Sequence, residues 1–230
     1  MKKNKISKNW LNRQKRDIFV RKSKIEGFRA RSAYKLIEIN EKFKILKGGM
    51  IVVDIGAAPG SWSQYASRIV KNSGHVISID LKKMDEIKNT TQISGDFTEP
   101  DIQKIIKTNL VKEADLVMSD MAINTTGIKN IDSIQTGELC KEAMIFSKEI
   151  INKNGSFVSK IFMGSSFNEI VALGKKLFRE VRVFKPQSSR KDSKESFIIC
   201  KKIFKEVRVF KPKSSRKDSK ESFIICKNLR

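Results

Sequence analysis

The sequence predicts an α/β protein built on a doubly wound, mostly parallel sheet, and the stretch 51–62 gives the first indication. It begins with a largely apolar run, which is typical of a parallel strand covered on both faces. The run passes into a turn punctuated by Gly56 and Gly60, which leave the backbone open to close approach, and then into a helix. A second predicted strand follows and ends in Asp80. This order predicts the first half of a nucleotide-binding βαβ unit.

The remaining elements alternate between strand and helix patterns, as a doubly wound sheet requires. A helix from about residue 29 to Phe43 is expected to pack on the sheet edge, and Asn154-Gly155 is expected to end the longest helix. The other predicted helices are 61–71, 99–110, 133–152 and 166–178. The predicted strands are 50–56, 75–81, a short segment before Gly95, 114–120, 156–162, 181–185 and 195–201.

The net charge of +23 is distributed unevenly along the chain. Residues 1–35 carry 13 Lys and Arg against 2 Asp and Glu, residues 36–174 carry 16 against 17, and residues 175–230 carry 19 against 6. A general excess of lysine or a merely solvated basic surface is the alternative explanation, but a lysine excess should extend to the balanced centre. The pattern therefore predicts a neutral catalytic body with basic flanks that bind a polyanion, most simply nucleic acid.

Cysteine and histidine usage narrows the class of protein. Cys140, Cys200 and Cys226 include no C-x-x-C pair, which indicates reduced thiols and a cytoplasmic protein. His75 is the only histidine, so a histidine-rich metal site is excluded, a Ser-His-Asp triad is disfavoured, and no metal is expected. No apolar run reaches the ~18 residues of a membrane span, and the basic N-terminus lacks the apolar core of a secretory signal.

A tandem repeat marks the C-terminal part of the chain. Residues 178–201 recur at 204–227 with an offset of 26 residues and differ at only two of 24 positions. A single recurrence is not a solenoid, and it indicates duplication of a terminal β-hairpin. The chain is therefore divided into a basic RNA-binding arm at 1–28 that becomes ordered on RNA, a domain at 29–202, and a surplus hairpin at 203–230.

Charged residues lie at or near the carboxyl ends of four predicted strands, where ligands of doubly wound sheets bind. They are Asp54, Asp80, Asp120 and Lys160. Burying a charge is costly unless it is paired or used. Lys160 is the most informative because it interrupts a strand of Phe, Val and Ile, where loss of solvent or a nearby cation such as Lys35 would favour the neutral form that acts as a general base. The alternative is a lysine whose ammonium reaches solvent at a strand edge.

Five motifs follow one another in an order shared with a known family. They are RSAYKL at 31–36, VDIGAAPGSWSQY at 53–65, GDF at 95–97, SDMA at 119–122 and VSKIF at 158–162. Together they resemble the FtsJ/RrmJ-like ribose 2′-O-methyltransferases, and in particular the bacterial branch that methylates large-subunit ribosomal RNA. The resemblance covers roughly residues 25–202.

The resemblance implies a Rossmann-like, S-adenosylmethionine-dependent methyltransferase fold. The sheet would have seven mostly parallel strands with a C-terminal antiparallel hairpin, and helices would cover both faces. S-adenosylmethionine would donate the methyl group to a uridine ribose in the A-loop of 23S rRNA. The partners would be this rRNA and the 50S ribosomal subunit, and the enzyme would be a cytoplasmic monomer.

The resemblance also implies a catalytic set of Lys35, Asp120, Lys160 and Glu195. The choice of Glu195 over its repeat copy Glu221 follows from its shorter connection to Lys160, through one helix and one strand. In this set Lys160 would accept the proton and Asp120 would orient it, while Lys35 would stabilise the oxyanion and Glu195 would hold Lys35 or the ribose.

The same resemblance implies a set of contacts to the methyl donor. These are Gly60, Trp62, Asp80, Asp96 and Asp120. Asp80 suits the ribose hydroxyls of the donor, and Asp96 suits its adenine amino group.

Two departures from the family pattern are visible, and neither removes a charged group. Ser61 stands where the bacterial branch usually has a second glycine, and Ile123 replaces a proline. Two other classes of protein remain as alternatives. A nicotinamide dehydrogenase would require G-x-G-x-x-G and a hydride-transfer acid, which are not visible. A non-catalytic RNA-binding ribosome-assembly protein on the same fold predicts loss of catalytic lysines or of Asp120, all of which are present.

Overall fold

The computed structural model describes residues 17–121, 129–190, 193, 195–201, 208–209 and 225–229. Helices and strands alternate along most of this length. In chain order they are α1 (Ile18–Ile25), α2 (Ala33–Phe43), β1 (Ile51–Ile55), α3 (Ser61–Val70), β2 (His75–Asp80), β3 (Thr90–Ser94), α4 (Pro100–Thr108), β4 (Ala114–Ser119), α5 (Lys129–Ile150), β5 (Ile151–Phe162), α6 (Phe167–Leu177), β6 (Phe178–Phe184), β7 (Glu195–Lys201), β8 (Arg208–Val209) and β9 (Ile225–Leu229).

One sheet carries all the described strands, in the order β3-β2-β1-β4-β5-β7-β9-β6-β8, with β9 also paired to β5 and β6 also paired to β7. Strands β1 to β5 pair in parallel. Strand β7 pairs antiparallel with both β5 and β6. The predicted Rossmann-like sheet of seven mostly parallel strands with an antiparallel C-terminal hairpin is therefore confirmed in β1 to β7. The strand order reverses between β1 and β4, which is where such sheets form a ligand crevice.

The core explains why the central strands form where they do. All five residues of β1 are buried, because helices cover both faces of a parallel strand. On α3, Trp62, Ala66 and Val70 recur every four residues and are all buried, so one stripe of this helix faces the sheet. This packing fixes the N-terminus of α3 next to the carboxyl end of β1.

The end of the longest helix differs from the sequence prediction. Helix α5 ends at Ile150, and Asn154-Gly155 lies inside β5, where the register against β4 shifts. The side chain of Asn152 accepts the Asn154 backbone N–H at 2.8 Å and donates to Asp115 at 2.7 Å. A Cβ at Gly155 would lie 2.2 Å from a methyl carbon of Ile151. The glycine therefore permits a bulge in the strand instead of terminating the helix.

Part of the predicted RNA-binding arm is folded against the domain. Asp17 caps α1 by accepting the Phe19 backbone N–H at 3.0 Å, and its carboxylate lies 2.6 Å from the Arg31 guanidinium. The ring of Phe19 packs on Tyr34 with centroids 5.3 Å apart. Within residues 17–28, a cap and aromatic packing therefore hold α1 against α2, and the RNA-binding role of the arm stays a prediction. Residues 1–16 lie outside the described residues.

The described residues contain neither a candidate membrane-spanning helix nor a candidate metal site. Among its helices, none is both long and apolar enough to cross a membrane. Within the same residues, no group of three or more His, Cys, Asp or Glu side chains is placed to hold a metal ion.

Candidate active site

Lys160 and Asp120 meet at the carboxyl ends of two adjacent parallel strands. Ser119 pairs with Ser159 across β4 and β5, so the next residue of each chain segment lies side by side. The Nζ of Lys160 lies 2.9 Å from Asp120 Oδ1 and donates to the Asp120 backbone carbonyl at 2.7 Å. Only 6% of Lys160 is exposed, so its ammonium does not reach out to solvent as a strand-edge lysine would.

Lys35 brings a second cation to the same place from α2. Its Nζ lies 2.9 Å from the carboxylate of Glu195 and 3.6 Å from Asp120 Oδ1. Asp120 is thus shared by both lysines, and two cations balance two carboxylates. The structure brings together all four residues of the predicted catalytic set, from α2, the end of β4, β5 and the start of β7.

Electrostatics fix the charge of Lys35 and of Glu195. Burial alone would lower the pKa of Lys35, but the carboxylates of Asp120 and Glu195 outweigh it and raise the pKa. Burial would likewise raise the pKa of Glu195, but Lys35 and Lys160 lower it to about 2. Opposite charges at hydrogen-bond distance favour the charged form of each partner. Lys35 is therefore a fixed cation and Glu195 a fixed anion at neutral pH.

A cavity opens on the Glu195 side of this cluster. Its volume is about 290 Å³, close to the lower end of small-molecule sites. The lining residues are Arg31, Ser32, Lys35, Arg190, Ser193 and Glu195. The lining brings two guanidinium groups and an ammonium against one carboxylate, and Asp17 pairs with both guanidinium groups at 2.6 and 3.6 Å. Three cations against two carboxylates leave an excess of positive charge that suits an anionic ligand.

The glycine turn after β1 is packed tightly against neighbouring side chains. Gly56 and Gly60 have φ angles of +73° and +97°, which favour glycine. A Cβ at Gly56 would lie 2.1 Å from Met121, and a Cβ at Gly60 would lie 2.9 Å from both Arg29 and Ile87. The turn therefore needs glycine for conformation and for space, and it lies directly beside the segment that carries Asp120.

The indole ring of Trp62 is buried in packing contacts at the start of α3. The side chain is 2% exposed, its Nε1 donates to the Ser32 carbonyl at 2.9 Å, and it stacks on Phe197 with centroids 5.6 Å apart. A contact from Trp62 to a ligand would fall to its backbone N–H, which has no acceptor within the helix. The neighbouring Ser61 shares a hydrogen bond of 2.7 Å with the Ser32 hydroxyl, so this departure from the family pattern links α3 to α2.

Asp80 is the last residue of β2 and Asp96 lies just beyond the carboxyl end of β3, and backbone groups hold both side chains. Asp80 accepts the N–H of Ala58 through one oxygen and the N–H of Lys82 through the other, each at 2.8 Å. Asp96 accepts both the N–H and the hydroxyl of Thr98 through a single oxygen. Each carboxylate oxygen can accept further hydrogen bonds. The two side chains are therefore held in place and can still accept hydrogen bonds from a ligand.

A buried hydroxyl chain under the glycine turn was missed by the sequence reading. Asp54 is 1% exposed and accepts the Ser63 hydroxyl at 2.6 Å, and Ser63 and Ser78 share a further 2.6 Å hydrogen bond. Burial raises the pKa of Asp54 to about 7, with Asp120 and Asp80 acting in the same direction. The charged residue in an apolar strand was a visible signal, but no pattern pointed to the two serines.

Arg29 is a second residue that the sequence reading missed. Its guanidinium donates to the backbone carbonyls of Pro59, Asp85 and Glu86 at 3.3, 2.9 and 2.8 Å. It thereby ties the loop between β2 and β3 to the glycine turn. Backbone carbonyls have no side-chain signature, so the sequence held no signal for this contact. Ile123, the other departure from the family pattern, lies outside the described residues.

Comparison with known proteins gives a family for this chain. The FtsJ-like methyltransferase family matches residues 28–203 and, separately, residues 201–229. The chain is 70% identical to ribosomal RNA large subunit methyltransferase E of Pelagibacter ubique (strain HTCC1062) over 87% of this chain and 98% of that protein. It is 46% identical to the protein of the same name from Rickettsia bellii (strain RML369-C), over 84% and 87% of the two chains.

A solved structure agrees with this comparison. A putative ribosomal RNA methyltransferase from Plasmodium falciparum superposes with a TM-score of 0.69 at 30% identity, over 88% of this chain and 98% of the other. The predicted family and the predicted enzyme class are confirmed. The chain therefore belongs to the FtsJ-like methyltransferase family, and it is a methyltransferase.

Proposed function

We propose that this enzyme transfers a methyl group from S-adenosylmethionine to the 2′-oxygen of a uridine ribose in the A-loop of 23S rRNA, acting on the 50S ribosomal subunit in the cytoplasm. The observation that supports the chemistry is the buried cluster of Lys35, Asp120, Lys160 and Glu195 beside the glycine turn. The RNA target is supported by the name that the 70% identical relative carries.

The residues around the glycine turn suit a cationic donor that has no phosphate. Acidic side chains dominate this part of the sheet, and a pyrophosphate would be repelled there. The Oδ1 of Asp120 is buried, and although Lys160 lies 2.9 Å away, no donor meets it in hydrogen-bond geometry. The residues that would hold the donor are Gly60, Trp62, Asp80, Asp96 and Asp120. When bound, S-adenosylmethionine supplies an electrophilic methyl group on a positively charged sulfur.

The chain's own contribution is to remove a proton from a very weak acid, the ribose hydroxyl. The Nζ of Lys160 directs two contacts at Asp120, one to its carboxylate and one to its carbonyl. In its neutral form the amine would keep the hydrogen bond to the Asp120 carbonyl and present its lone pair to the incoming hydroxyl. The hydroxyl proton would pass to Lys160 Nζ while the methyl carbon exchanges its bond to the donor sulfur for a bond to the 2′-oxygen, which leaves the donor as a neutral thioether.

Lys35 and Glu195 complete the site without exchanging protons. Lys35 is held charged between two carboxylates, so it can stabilise negative charge that develops on the ribose oxygen. Glu195 fixes Lys35 at 2.9 Å. Fixing both reactants in one geometry contributes up to ~7–11 kcal/mol of barrier reduction.

The acceptor would approach from the basic cavity beside Glu195. Arg31 and Arg190 line that cavity and suit the phosphates on either side of the target ribose. The basic segments 1–35 and 175–230 extend this charge along the RNA. The 2′-hydroxyl that accepts the methyl group distinguishes RNA from DNA.

The test is Lys160→Ala, assayed with tritiated S-adenosylmethionine and 50S subunits that lack the methyl group. Methyl transfer should fall by at least ~10²-fold, the usual contribution of a general base, while calorimetric donor affinity is retained. Lys107→Ala is the matched control, because Lys107 pairs with Glu149 on the surface. Near-wild-type turnover of Lys160→Ala would show that Lys160 is not the base. Binding of subunits without methyl transfer by the wild type would favour the non-catalytic assembly protein.

A further inference from the structure

We infer that Asp17 is a positioning residue of the acceptor site. Its carboxylate holds Arg31 and Arg190 in one network, so that Arg190 is fixed at the basic cavity for contact with an RNA phosphate. The inference rests on the proposed function, because that function makes the acceptor RNA the ligand of this cavity. It extends the site to the start of α1, which lies outside the family match to residues 28–203.

The two oxygens of the Asp17 carboxylate have different partners. Oδ1 caps α1 by accepting the backbone N–H groups of Phe19 at 3.0 Å and of Val20 at 3.4 Å. Oδ2 lies 2.6 Å from Arg31 Nη1 and 3.6 Å from Arg190 Nε. Because the cap fixes Oδ1 on the helix, it also fixes Oδ2, and the carboxylate therefore determines where the two guanidinium groups lie.

The loop that carries Arg190 joins β6 to β7, and it is held through both backbone groups of Ser188. Glu38 of α2 accepts the Ser188 N–H at 2.8 Å, and Arg31 Nη2 donates to the Ser188 carbonyl. Glu38 also accepts the N–H of Gln187. Arg190 follows Ser188 by two residues, so its backbone starts from a fixed point and Asp17 fixes its side chain.

Arg190 is the exposed end of this network. Its side chain is 36% exposed, against 15% for Arg31, and Arg31 uses both terminal nitrogens within the protein. Among the described residues, Asp17 is the only ion-pair partner of Arg190, and the contact is made through Nε. The two terminal nitrogens of Arg190 can therefore bind a phosphate in the paired geometry that guanidinium groups favour. Lys35 and Glu195 line the same cavity, which places that phosphate beside the catalytic cluster.

Charge alone predicts the opposite effect of removing Asp17. A neutral residue at this position makes the cavity more positive, and a more positive cavity attracts a polyanion more strongly. If Asp17 positions Arg190, its loss weakens RNA binding instead, because the Arg190 side chain must then be ordered when the RNA binds. The sign of the change therefore separates a positioning role from a purely electrostatic one.

Asp17→Asn is the decisive variant, because asparagine caps a helix about as well as aspartate and removes only the charge. In methyl-transfer assays the KM for unmethylated 50S subunits should rise about threefold to tenfold, the usual worth of a charged contact. That rise should exceed any fall in kcat and any rise in the KM for S-adenosylmethionine. Glu26→Gln is the matched control, because it removes one negative charge from the other end of α1, where Glu26 contacts Lys22 at 3.6 Å. The control should not raise the KM, and an unchanged or lowered KM for Asp17→Asn would overturn the inference.

Two further variants show whether Asp17 acts through Arg190. Arg190→Ala should raise the KM for subunits about tenfold, and Asp17→Asn/Arg190→Ala should raise it no further. Multiplied effects in the double variant would mean that the two residues act independently, which would overturn the inference. Asp17→Ala removes the cap as well and should match Asp17→Asn. A rise in KM that is confined to Asp17→Ala would assign the effect to the folding of α1 and would also overturn the inference.

Direct binding distinguishes failure of this inference from failure of the proposed function. If the wild type binds 50S subunits without methylating them, the proposed function fails, and the Kd for subunits replaces KM in the same comparison with the same expected ratios. Methyl transfer by the wild type together with independent effects of Asp17 and Arg190 would overturn the inference alone. A wild type that neither methylates nor binds subunits would overturn both.

Discussion

Replacing Asp54 with asparagine should change the pH dependence of the free energy of unfolding. Asp54 is buried under the glycine turn. Burial raises its pKa from 3.8 to about 7, the hydrogen bonds from Ser63 act against burial, and the charges of Asp120 and Asp80 reinforce it. A buried carboxyl group with a raised pKa makes the folded state bind a proton that the unfolded chain has already released.

The sign and size follow from these two pKa values. Below pH 3.8 Asp54 is protonated in both states and imposes no penalty. As pH rises from there towards about 7, the unfolded chain is ionised and the folded protein is not, so folding loses about 1.4 kcal/mol per pH unit. Over about three units the loss reaches ~4 kcal/mol, and above the folded pKa it stays constant. Asparagine cannot ionise, so the free energy of unfolding of the variant does not decrease with pH in this way.

Urea unfolding of the wild type and of Asp54→Asn between about pH 5 and about pH 8 measures the effect. Relative to that of the wild type, the unfolding free energy of Asp54→Asn should rise by about 1.4 kcal/mol per pH unit up to about pH 7 and then stay level. Asp101→Asn, which replaces an exposed aspartate in the first turn of α4, is the matched control for the substitution itself. A difference that does not vary with pH would refute the reasoning, because it would mean that Asp54 ionises at the same pH in both states.

Three further predictions address the rest of the site. Lys35→Met should lower the free energy of unfolding by about 3–5 kcal/mol in urea titrations, because it leaves two buried carboxylates without their shared cation; an unchanged value would contradict the ion-pair geometry. Arg29→Ala should raise the KM for S-adenosylmethionine more than it lowers kcat in steady-state assays, since it releases the β2–β3 loop but leaves the lysines in place. An effect on kcat alone would contradict a role of Arg29 in holding that loop. Gly60→Ala should weaken calorimetric donor binding by about tenfold through strain at positive φ, whereas Gly48→Ala, whose nearest neighbour would be 4.0 Å away, should not.

Sequence reasoning located the functional part of the sheet because charges inside apolar strands are rare and costly. Asp120 and Lys160 each follow this rule, and adjacent parallel strands necessarily bring their carboxyl ends together. The contact between Lys35 and Glu195 joins residues 160 positions apart. No local pattern encodes such a contact, and only the resemblance to a family predicted it.

Two segments show what local patterns do not encode. Asn154-Gly155 has the composition of a helix stop, but it forms a bulge because Asn152 bonds to Asp115 on the neighbouring strand, a partner fixed by tertiary register. Residues 17–28 have the composition of a basic arm, and the packing of Phe19 on Tyr34 holds α1 against the domain. In both cases a contact outside the segment decides the local structure.

The two lysines of the cluster differ in their surroundings, and this difference supports the separate roles proposed for them. Lys35 lies between the carboxylates of Asp120 and Glu195, so removing its proton would leave two anions with one fewer cation. Lys160 contacts one carboxylate and one carbonyl, both from Asp120. When it gives up its proton Lys35 still neutralises the shared aspartate. In the proposed mechanism the fixed cation and the proton acceptor therefore depend on each other, and the pairing of Glu195 with Lys35 makes the two lysines unequal. That dependence explains why the proposed mechanism needs a glutamate at the start of β7.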